Sequence, residues 1–450
     1  MMTGRKLVRA VCAMAAAVAF AGMFILTAAQ ATNVERVISP GGIEAWLVRD
    51  ATVPLVAVEY AFEGGSSQDP VSKPGVANMV AALLDEGAGD LDATAFQGRM
   101  EELAIELRFW ADRDYLRGSL RTLSARSDEA FDLLRLALNA PRFEPEAIER
   151  IRTQITADLR RQSTDPNTIV SKTLWSTAFP GHAYGRPEKG TLESVAQINR
   201  DELRDYPTRV LARDKLKIAV VGDIDAATTG RLIDSVFGGL PAKASLTDVP
   251  TVKPQALGRR VVVDLDVPQA VVSFGGLGLP RKHPDFILAF VVNHILGGGS
   301  FTSRLYQEVR EKRGLAYGVH SSLYPMERTA LFMVWTATRA EKAGEAIEII
   351  EAEFRRMAAD GPTEDELAKA KAFLKGSYAL RFDTSTKIAG QLVQIQIDDL
   401  GIGYIDKRNA LIEAVTAEDA KRVAKTLLSG DYLTAIVGRP KGVTTTAPRG

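Results

Sequence analysis

The sequence predicts an α+β fold built from two similar halves. Short strand patterns alternate with longer amphipathic helix patterns along the 450-residue chain. Landmarks in the two halves recur at similar intervals: Pro145 follows Pro54 by 91 residues, and Pro362 follows Pro268 by 94. Antiparallel strands mixed with helices that cover a sheet face indicate an α+β architecture, and the matched intervals indicate an internal duplication.

The first half is predicted to begin with a hairpin and to end with a buried strand. The run Ser39-Pro40-Gly41-Gly42 favours a turn, Pro74 precedes one helix pattern, and Pro145 begins another. Val221-Gly222 ends the last strand of this half, as Val437-Gly438 ends its counterpart in the second. The pattern predicts a hairpin over 36–48, strands over 55–62, 105–111, 115–122 and 215–221, and helices over 75–84, 91–103, 127–138 and 145–162.

Composition changes between the halves mark the domain boundaries. Residues 241–258 contain three prolines, small side chains and little periodicity, which is typical of a linker. We therefore predict an N-terminal domain over 32–240, a linker over 241–258, a C-terminal domain over 259–441 and a tail over 442–450.

The first 31 residues are predicted to be a secretory signal peptide. Arg5, Lys6 and Arg9 form a basic region, an alanine-rich apolar run follows, and Ala29-Gln30-Ala31 has the A-x-A form of a cleavage site. The mature protein would then be periplasmic or secreted, with no stable membrane association. Because the apolar run is long for a signal peptide, an uncleaved anchor is the alternative.

The charge balance and the cysteine content narrow the class of protein. The chain has 56 basic and 56 acidic residues, so neither nucleic acid nor an anionic membrane surface is expected as a partner. Cys12 is the only cysteine and lies within the predicted signal, so the mature chain would have neither thiol nor disulfide. A large core without disulfides is compatible with export.

Residues 297–323 are the strongest functional candidate. A glycine run opens this stretch, a short helix is predicted next, and a strand follows. Arg310 falls near the end of the helix and Tyr317 near the start of the strand, so both can point into one space. A guanidinium and a phenol suit the binding of a peptide carbonyl and the oxyanion that it becomes. A purely structural role is the alternative, since cations such as Arg310 complement the end of a helix that stops at Gly314.

Several of these motifs resemble the pitrilysin-type zinc peptidases, also called inverzincins or the M16 family. The resemblance extends from about Val34 to Pro440. It is carried by Leu296-Gly297-Gly298-Gly299, Ser303-Arg304-Leu305, Arg310-Glu311-Lys312 and Gly314-Leu315-Ala316-Tyr317, with support from His182-Ala183-Tyr184-Gly185-Arg186-Pro187, Val221-Gly222-Asp223 and Thr363-Glu364-Asp365-Glu366-Leu367.

The resemblance implies two homologous halves that face each other as a clam shell. Each half is expected to be a mainly antiparallel sheet covered by helices. In this family one half binds zinc through an H-x-x-E-H helix and a distal glutamate, and the other supplies an arginine and a tyrosine seven residues apart. Arg310 and Tyr317 have that spacing.

This chain departs from the family pattern at the metal helix. The helix should lie between Gly75 and Gly87, but Asn78 stands at the first histidine position and Ala81 and Ala82 replace the glutamate and the second histidine. The distal ligand position falls near Asp158. No H-x-x-E-H or H-E-x-x-H occurs in the sequence, and its histidines include no i, i+4 pair. Zinc sites need three protein ligands from histidine, cysteine or carboxylate, so no cofactor is expected on this chain.

These observations predict the zinc-free subunit of a two-chain metalloendopeptidase, inactive alone. Its partner would be a homologue with an intact H-x-x-E-H that carries the zinc, and its substrates would be peptides. Arg310 and Tyr317 would act at the partner's metal. Two alternatives remain: a structural or assembly subunit without a catalytic part, and a module that binds exported peptides on a sheet edge.

Overall fold

Two β-sheets with helices on their faces form the part of the chain that the structure describes. This computed structural model describes residues 33–446. The predicted signal peptide and Cys12 lie outside the described residues, and so does the end of the predicted tail. Within 33–446 no helix is both long and apolar enough to cross a membrane.

The first sheet has six strands in the order β1-β2-β6-β3-β5-β4, and the second has five in the order β7-β11-β8-β10-β9. The strands are β1 (Glu35–Ile38), β2 (Glu44–Arg49), β3 (Leu55–Glu63), β4 (Glu106–Ala111), β5 (Tyr115–Leu123), β6 (Leu216–Gly222), β7 (Arg260–Val263), β8 (Gln269–Leu277), β9 (Ala316–Pro325), β10 (Ala330–Arg339) and β11 (Leu433–Val437).

Fifteen α-helical segments lie within 33–446. Those of the first half are α1 (Val76–Ala81), α2 (Ala93–Glu102), α3 (Ser127–Asn139), α4 (Pro145–Gln162), α5 (Pro166–Ala178), α6 (Leu192–Gln197), α7 (Arg200–Val210) and α8 (Ala226–Phe237). Those of the second half are α9 (Phe286–Asn293), α10 (Arg304–Tyr306), α11 (Ala343–Asp360), α12 (Glu364–Gly376), α13 (Ser385–Ile397), α14 (Tyr404–Glu413) and α15 (Ala417–Leu428).

The second sheet repeats the topology of the first. Strand β2 runs parallel to β6, just as β7 runs parallel to β11. The order β6-β3-β5-β4 is antiparallel throughout, and so is its counterpart β11-β8-β10-β9. The α+β fold in two similar halves is therefore confirmed, and the shared strand order explains why the proline and glycine landmarks recur at matching intervals.

A helix from each half packs on the sheet of the other. Helix α5 lies against β8 and β11, and α13 lies against β3 and β6. Leu174 of α5 is fully buried in an apolar cluster with Leu331 and Leu433 of the second sheet. In the other direction, the amide of Gln396 donates to the carbonyl of Ile218 at 2.9 Å. Burial of both inner sheet faces thus depends on the two halves together.

The predicted elements are present with shifted ends, and some helices were missed. Helix α1 is shorter than the helix predicted over 75–84, and residues 82–85 continue as turns. The sequence predicted no element between 163 and 214, where α5, α6 and α7 lie. Prolines obscured two of them: Pro166 occupies the first turn of α5, where its missing N–H costs nothing, and Pro207 lies inside α7.

Residues 241–258 contain neither helix nor strand. Backbone hydrogen bonds nevertheless attach the segment to both halves: Gln255 donates to Ala178, and Val252 donates to Arg328, each at 2.8 Å. The domain limits on either side of this segment stay a prediction.

Candidate functional site

Arg310 and Tyr317 lie side by side at the start of the edge strand β9. The Arg310 Nη1 atom donates to the Tyr317 carbonyl at 2.8 Å. Its guanidinium carbon is 4.5 Å from the centre of the Tyr317 ring and 5.0 Å from that of Tyr306, close enough for cation–π attraction. The guanidinium is thus held beside two phenol rings, and further N–H groups remain available for a ligand.

Tyr317 points into solvent because it is the extra residue of a β-bulge. In the register of β9 with β10, Gly318 faces Ala337 and Ala316 faces Thr338, which leaves Tyr317 without a partner. A bulge redirects the side chain of its unpaired residue, and bulges are common next to active sites. Tyr317 is 84% exposed, and its hydroxyl has no hydrogen-bond partner among residues 33–446. The hydroxyl is therefore free to donate to a substrate oxygen.

Two π-helical turns pack against β9. They cover His294–Gly298 and Gln307–Glu311, and the second one contains Arg310. The buried carboxylate of Glu308 fixes this turn through ion pairs with Lys312 at 2.5 Å and with Arg313 at 2.6 Å. Burial raises the pKa of Glu308, but the hydrogen bonds from the two cations outweigh it and lower the pKa to about 2. Glu308 is therefore ionised at neutral pH.

The glycine run packs against the strand that carries Tyr317. A Cβ added at Gly297 would lie 2.5 Å from the Ser321 hydroxyl and 2.7 Å from the Ser321 amide nitrogen. One added at Gly298 would lie 2.8 Å from the side-chain amide of Asn293. Glycine is therefore required at 297 and 298, because the backbone there lies too close to Ser321 of β9 and to Asn293 for a side chain to fit.

Arg304 anchors the short helix that precedes Arg310. Its Nε and Nη2 atoms donate to the two carboxylate oxygens of Glu366 at 2.7 and 2.6 Å, a bidentate pair. The same carboxylate accepts from the backbone amide of Thr363, where it closes the capping box of α12. This pair links two motifs that the sequence presented 62 residues apart.

Replacing Glu366 with glutamine is expected to remove an acid-sensitive part of the stability. Burial raises the pKa of Glu366, but hydrogen bonds from Arg304 and Thr363 outweigh it and lower the pKa from 4.5 to about 2. A depressed pKa stabilises the fold above the unfolded-state value, and this contribution is lost as the pH falls through the folded-state value. At pH 7 we expect Glu366→Gln to lower the free energy of unfolding by about 1–3 kcal/mol.

Denaturant unfolding at a series of pH values measures this effect. The difference between Glu366→Gln and the parent should narrow as the pH falls below about 4.5, the ordinary pKa. Glu364→Gln is the matched control, because Glu364 lies exposed in the same first turn of α12. A constant difference from pH 7 to pH 3 would contradict the assignment.

The helix between Gly75 and Gly87 carries none of the metal ligands that its position implies. Ala81 is buried, and Asn78 lies half-buried with no side-chain hydrogen bond within 33–446. Among all of residues 33–446, no three His, Cys, Asp or Glu side chains are grouped so that they could hold a metal ion. The residues present therefore do not fit a zinc ion.

Asp158, at the predicted distal ligand position, forms ion pairs with two basic side chains of the same chain. One carboxylate oxygen pairs with Arg161, and the other accepts from Lys189 at 3.1 Å and from the Gln162 amide at 2.5 Å. Burial raises the pKa of Asp158, but Lys189 and Arg161 outweigh it and lower the pKa overall. A lysine ammonium thus holds the carboxylate that a metal would otherwise take.

The sequence predicted that Arg310 and Tyr317 lie close together, and they are joined by a hydrogen bond, but it did not predict the groups that hold them. Tyr306 precedes Arg310 by four residues, a helical spacing that could have signalled their contact. Glu308 stands near Lys312 and Arg313, which is also a recognisable local signal. The bulge at Tyr317 has no comparable signal in the sequence.

Two models of one peptidase family match the chain. Residues 45–191 match the model described as insulinase, peptidase family M16, and residues 197–374 match the one described as the peptidase M16 inactive domain. The chain belongs to the M16 peptidase family. The helix between Gly75 and Gly87 lacks the histidines and the glutamate of the family's zinc motif. This chain is therefore an inactive member of the M16 family.

Similar proteins match most of this chain. A Helicobacter pylori protein named non-peptidase homolog YmxG is 28% identical over 333 residues, covering 74% of this chain and 77% of that protein. A Bacillus subtilis protein named uncharacterized zinc protease YmxG is 24% identical over 412 residues, covering 91% and 99%. The crystal structure of a peptidase M16 inactive domain from Pseudomonas fluorescens matches with a TM-score of 0.84 at 29% identity, covering 93% of this chain and 100% of that one.

Proposed function

We propose that this chain is the zinc-free subunit of a two-chain M16 endopeptidase. Its partner is a homologue with an intact H-x-x-E-H, which would bind the zinc ion and its water and would supply the glutamate that acts as general base. This chain contributes Arg310 and Tyr317 to the peptide at that metal. The observation that carries the proposal is an exposed Tyr317 held beside a partly exposed Arg310, in a chain whose own metal helix lacks the ligands.

The chemistry of the pair supports a role in peptide hydrolysis. When water adds to a peptide carbonyl, negative charge develops on the oxygen, and a preorganised O–H or N–H donor stabilises it. The Tyr317 hydroxyl donates to that oxygen. Arg310, fixed by the Tyr317 carbonyl and by the Tyr306 ring, donates to a neighbouring carbonyl of the substrate. A zinc ion held by the partner's H-x-x-E-H would supply the Lewis acid and the activated water for this reaction.

The site of action follows from the N-terminal sequence. We propose that the signal peptide over 1–31 directs the chain to the periplasm or outside the cell, and that the partner is exported with it. The substrates are then exported peptides in an extended conformation.

A non-catalytic assembly role is the second candidate. The name of the Helicobacter pylori relative, non-peptidase homolog YmxG, favours it. The two candidates differ in what they require of Tyr317: the catalytic role needs its exposed hydroxyl, and the assembly role does not.

Co-purification distinguishes the two candidates. The mature chain is co-expressed with the metal-bearing homologue of the same organism, and the zinc content of each subunit is measured after separation. We expect a stable pair with about one zinc per pair, all of it on the homologue. A pair that forms but cleaves peptides no faster than the homologue alone would support the assembly role instead.

A further inference from the structure

A cavity of about 620 Å³ lies beside the degenerate metal helix. Its walls are Asn78 of α1, the end of α4, one face of α5 from Asn167 to Ser176, and the loop over 185–189 that precedes α6. We call it the cationic cavity, because its lining includes the basic side chains Arg113, Lys172, Arg186 and Lys189 and the single acidic side chain Glu188. The volume falls within the range of small-ligand sites.

The positive charge in the cavity is only partly neutralised. Arg113 pairs with Glu188, and Lys189 pairs with Asp158, which also pairs with Arg161 outside the lining. Lys172 is exposed on α5 and has no ion-pair partner among residues 33–446. An excess of positive charge therefore remains around the cavity.

Two arginines are held in place while keeping donors available. Arg113 is 8% exposed, its guanidinium carbon lies 3.8 Å above the Trp175 ring, and its Nε donates to the Tyr184 carbonyl. Its Nη2 has no hydrogen-bond partner within the described chain. Arg186 donates to the carbonyls of Asp69 and Ser67, so no carboxylate oxygen contacts its guanidinium. Donors fixed in this way cost little further ordering when an anion binds.

The Asp69 carboxylate attracts Arg186 electrostatically but forms no direct ion pair with it. Its two oxygens accept from the amides of Gly75 at 2.7 Å and Ala77 at 2.8 Å. This carboxyl is buried and faces the start of α1.

The rest of the lining suits a peptide better than a lone phosphate. Side-chain amides and hydroxyls, which both donate and accept, come from Asn78, Gln162, Asn167, Ser171 and Ser176. A peptide backbone needs both kinds of group, whereas phosphate at neutral pH needs chiefly donors. A single phosphate would also leave most of the volume unfilled.

We propose that the cationic cavity binds the carboxylate side chains of an acidic peptide segment. Arg113 and Lys172 contact carboxylates, and the amides and hydroxyls contact the peptide backbone. The site belongs to the first half and uses neither Arg310 nor Tyr317, so it stands independently of the proposed catalytic pairing. In family members with the H-x-x-E-H motif, the corresponding helix binds a divalent cation. In this chain the cavity beside that helix would bind anions instead.

Peptide binding by the mature full-length chain tests the proposal. Fluorescence anisotropy is used to titrate a labelled hexapeptide with three glutamates against the same peptide with three glutamines. Because charge-assisted hydrogen bonds are involved, we expect the glutamate peptide to bind at least about tenfold more tightly, with the difference shrinking at high salt.

Two variants with the same change in net charge test whether the glutamate peptide binds in the cationic cavity. Lys172→Glu should weaken binding of the glutamate peptide by about tenfold or more. Lys243→Glu changes the net charge equally at an exposed lysine outside the cavity and should have little effect. Lys189→Gln is a second variant at an exposed site and should also weaken binding.

Three results would overturn the proposal. The first is equal affinity for the glutamate and glutamine peptides. The second is an equal response to Lys172→Glu and Lys243→Glu. The third is displacement of the peptide by inorganic phosphate at concentrations where glutarate has no effect, since the site would then be a phosphate site.

Discussion

Tyr317→Phe is expected to lower kcat of the reconstituted two-chain peptidase by about 10²–10³-fold, equivalent to about 2.7–4 kcal/mol of barrier. The variant removes only the hydroxyl and keeps the ring that contacts Arg310. Because the hydroxyl has no partner within 33–446, its loss should leave the fold unchanged. KM should change little, since the bond to the oxyanion strengthens only in the transition state.

Steady-state cleavage of a fluorogenic peptide by the pair measures this effect. Tyr324→Phe is the control on the same strand, because Tyr324 is also partly exposed but lies away from the bulge. It should stay within about twofold of the parent. Full activity of the pair that contains Tyr317→Phe would show that the Tyr317 hydroxyl has no catalytic role.

Leu174→Ala is expected to lower the free energy of unfolding by about 2–5 kcal/mol, as for other buried leucines. Leu174 is fully buried, and its methyl groups reach the backbone of β8, where a Cβ added at Gly275 would lie 3.2 Å away. The side chain belongs to the first half but packs in the second sheet. Its loss should therefore destabilise both halves in one transition.

Urea unfolding followed by circular dichroism measures the change. Leu380→Ala is the matched control, because Leu380 is 70% exposed, and it should stay within about 0.5 kcal/mol of the parent. Two separate transitions in the Leu174→Ala protein, with the first half unchanged, would contradict the reciprocal packing of α5 and α13.

The sequence predicted the fold class well because its signals are local or repeated. Strand and helix periodicity gave most elements of the first half, and the matched positions of Pro54 and Pro268 reflect strands that occupy equivalent places in the two sheets. The packing of α5 and α13, each on the sheet of the opposite half, could not be predicted. An apolar helix face indicates burial but does not specify the sheet that covers it.

The candidate site was predicted in part. The seven-residue spacing placed Arg310 and Tyr317 near each other, and the structure joins them by a hydrogen bond. The bulge at Tyr317 depends on the register between β9 and β10, which is fixed by tertiary packing. The pairing of Asp158 with Lys189 joins residues 31 apart, and no local pattern reveals such a contact.

Titration of the metal-bearing homologue with this chain tests the central claim most directly. The initial rate of peptide cleavage is measured at fixed homologue concentration while the mature chain is added. We predict that the rate rises, saturates at one chain per homologue, and is abolished by a zinc chelator. A cleavage rate that does not change with added chain would contradict the proposal that Arg310 and Tyr317 serve the metal of a second polypeptide.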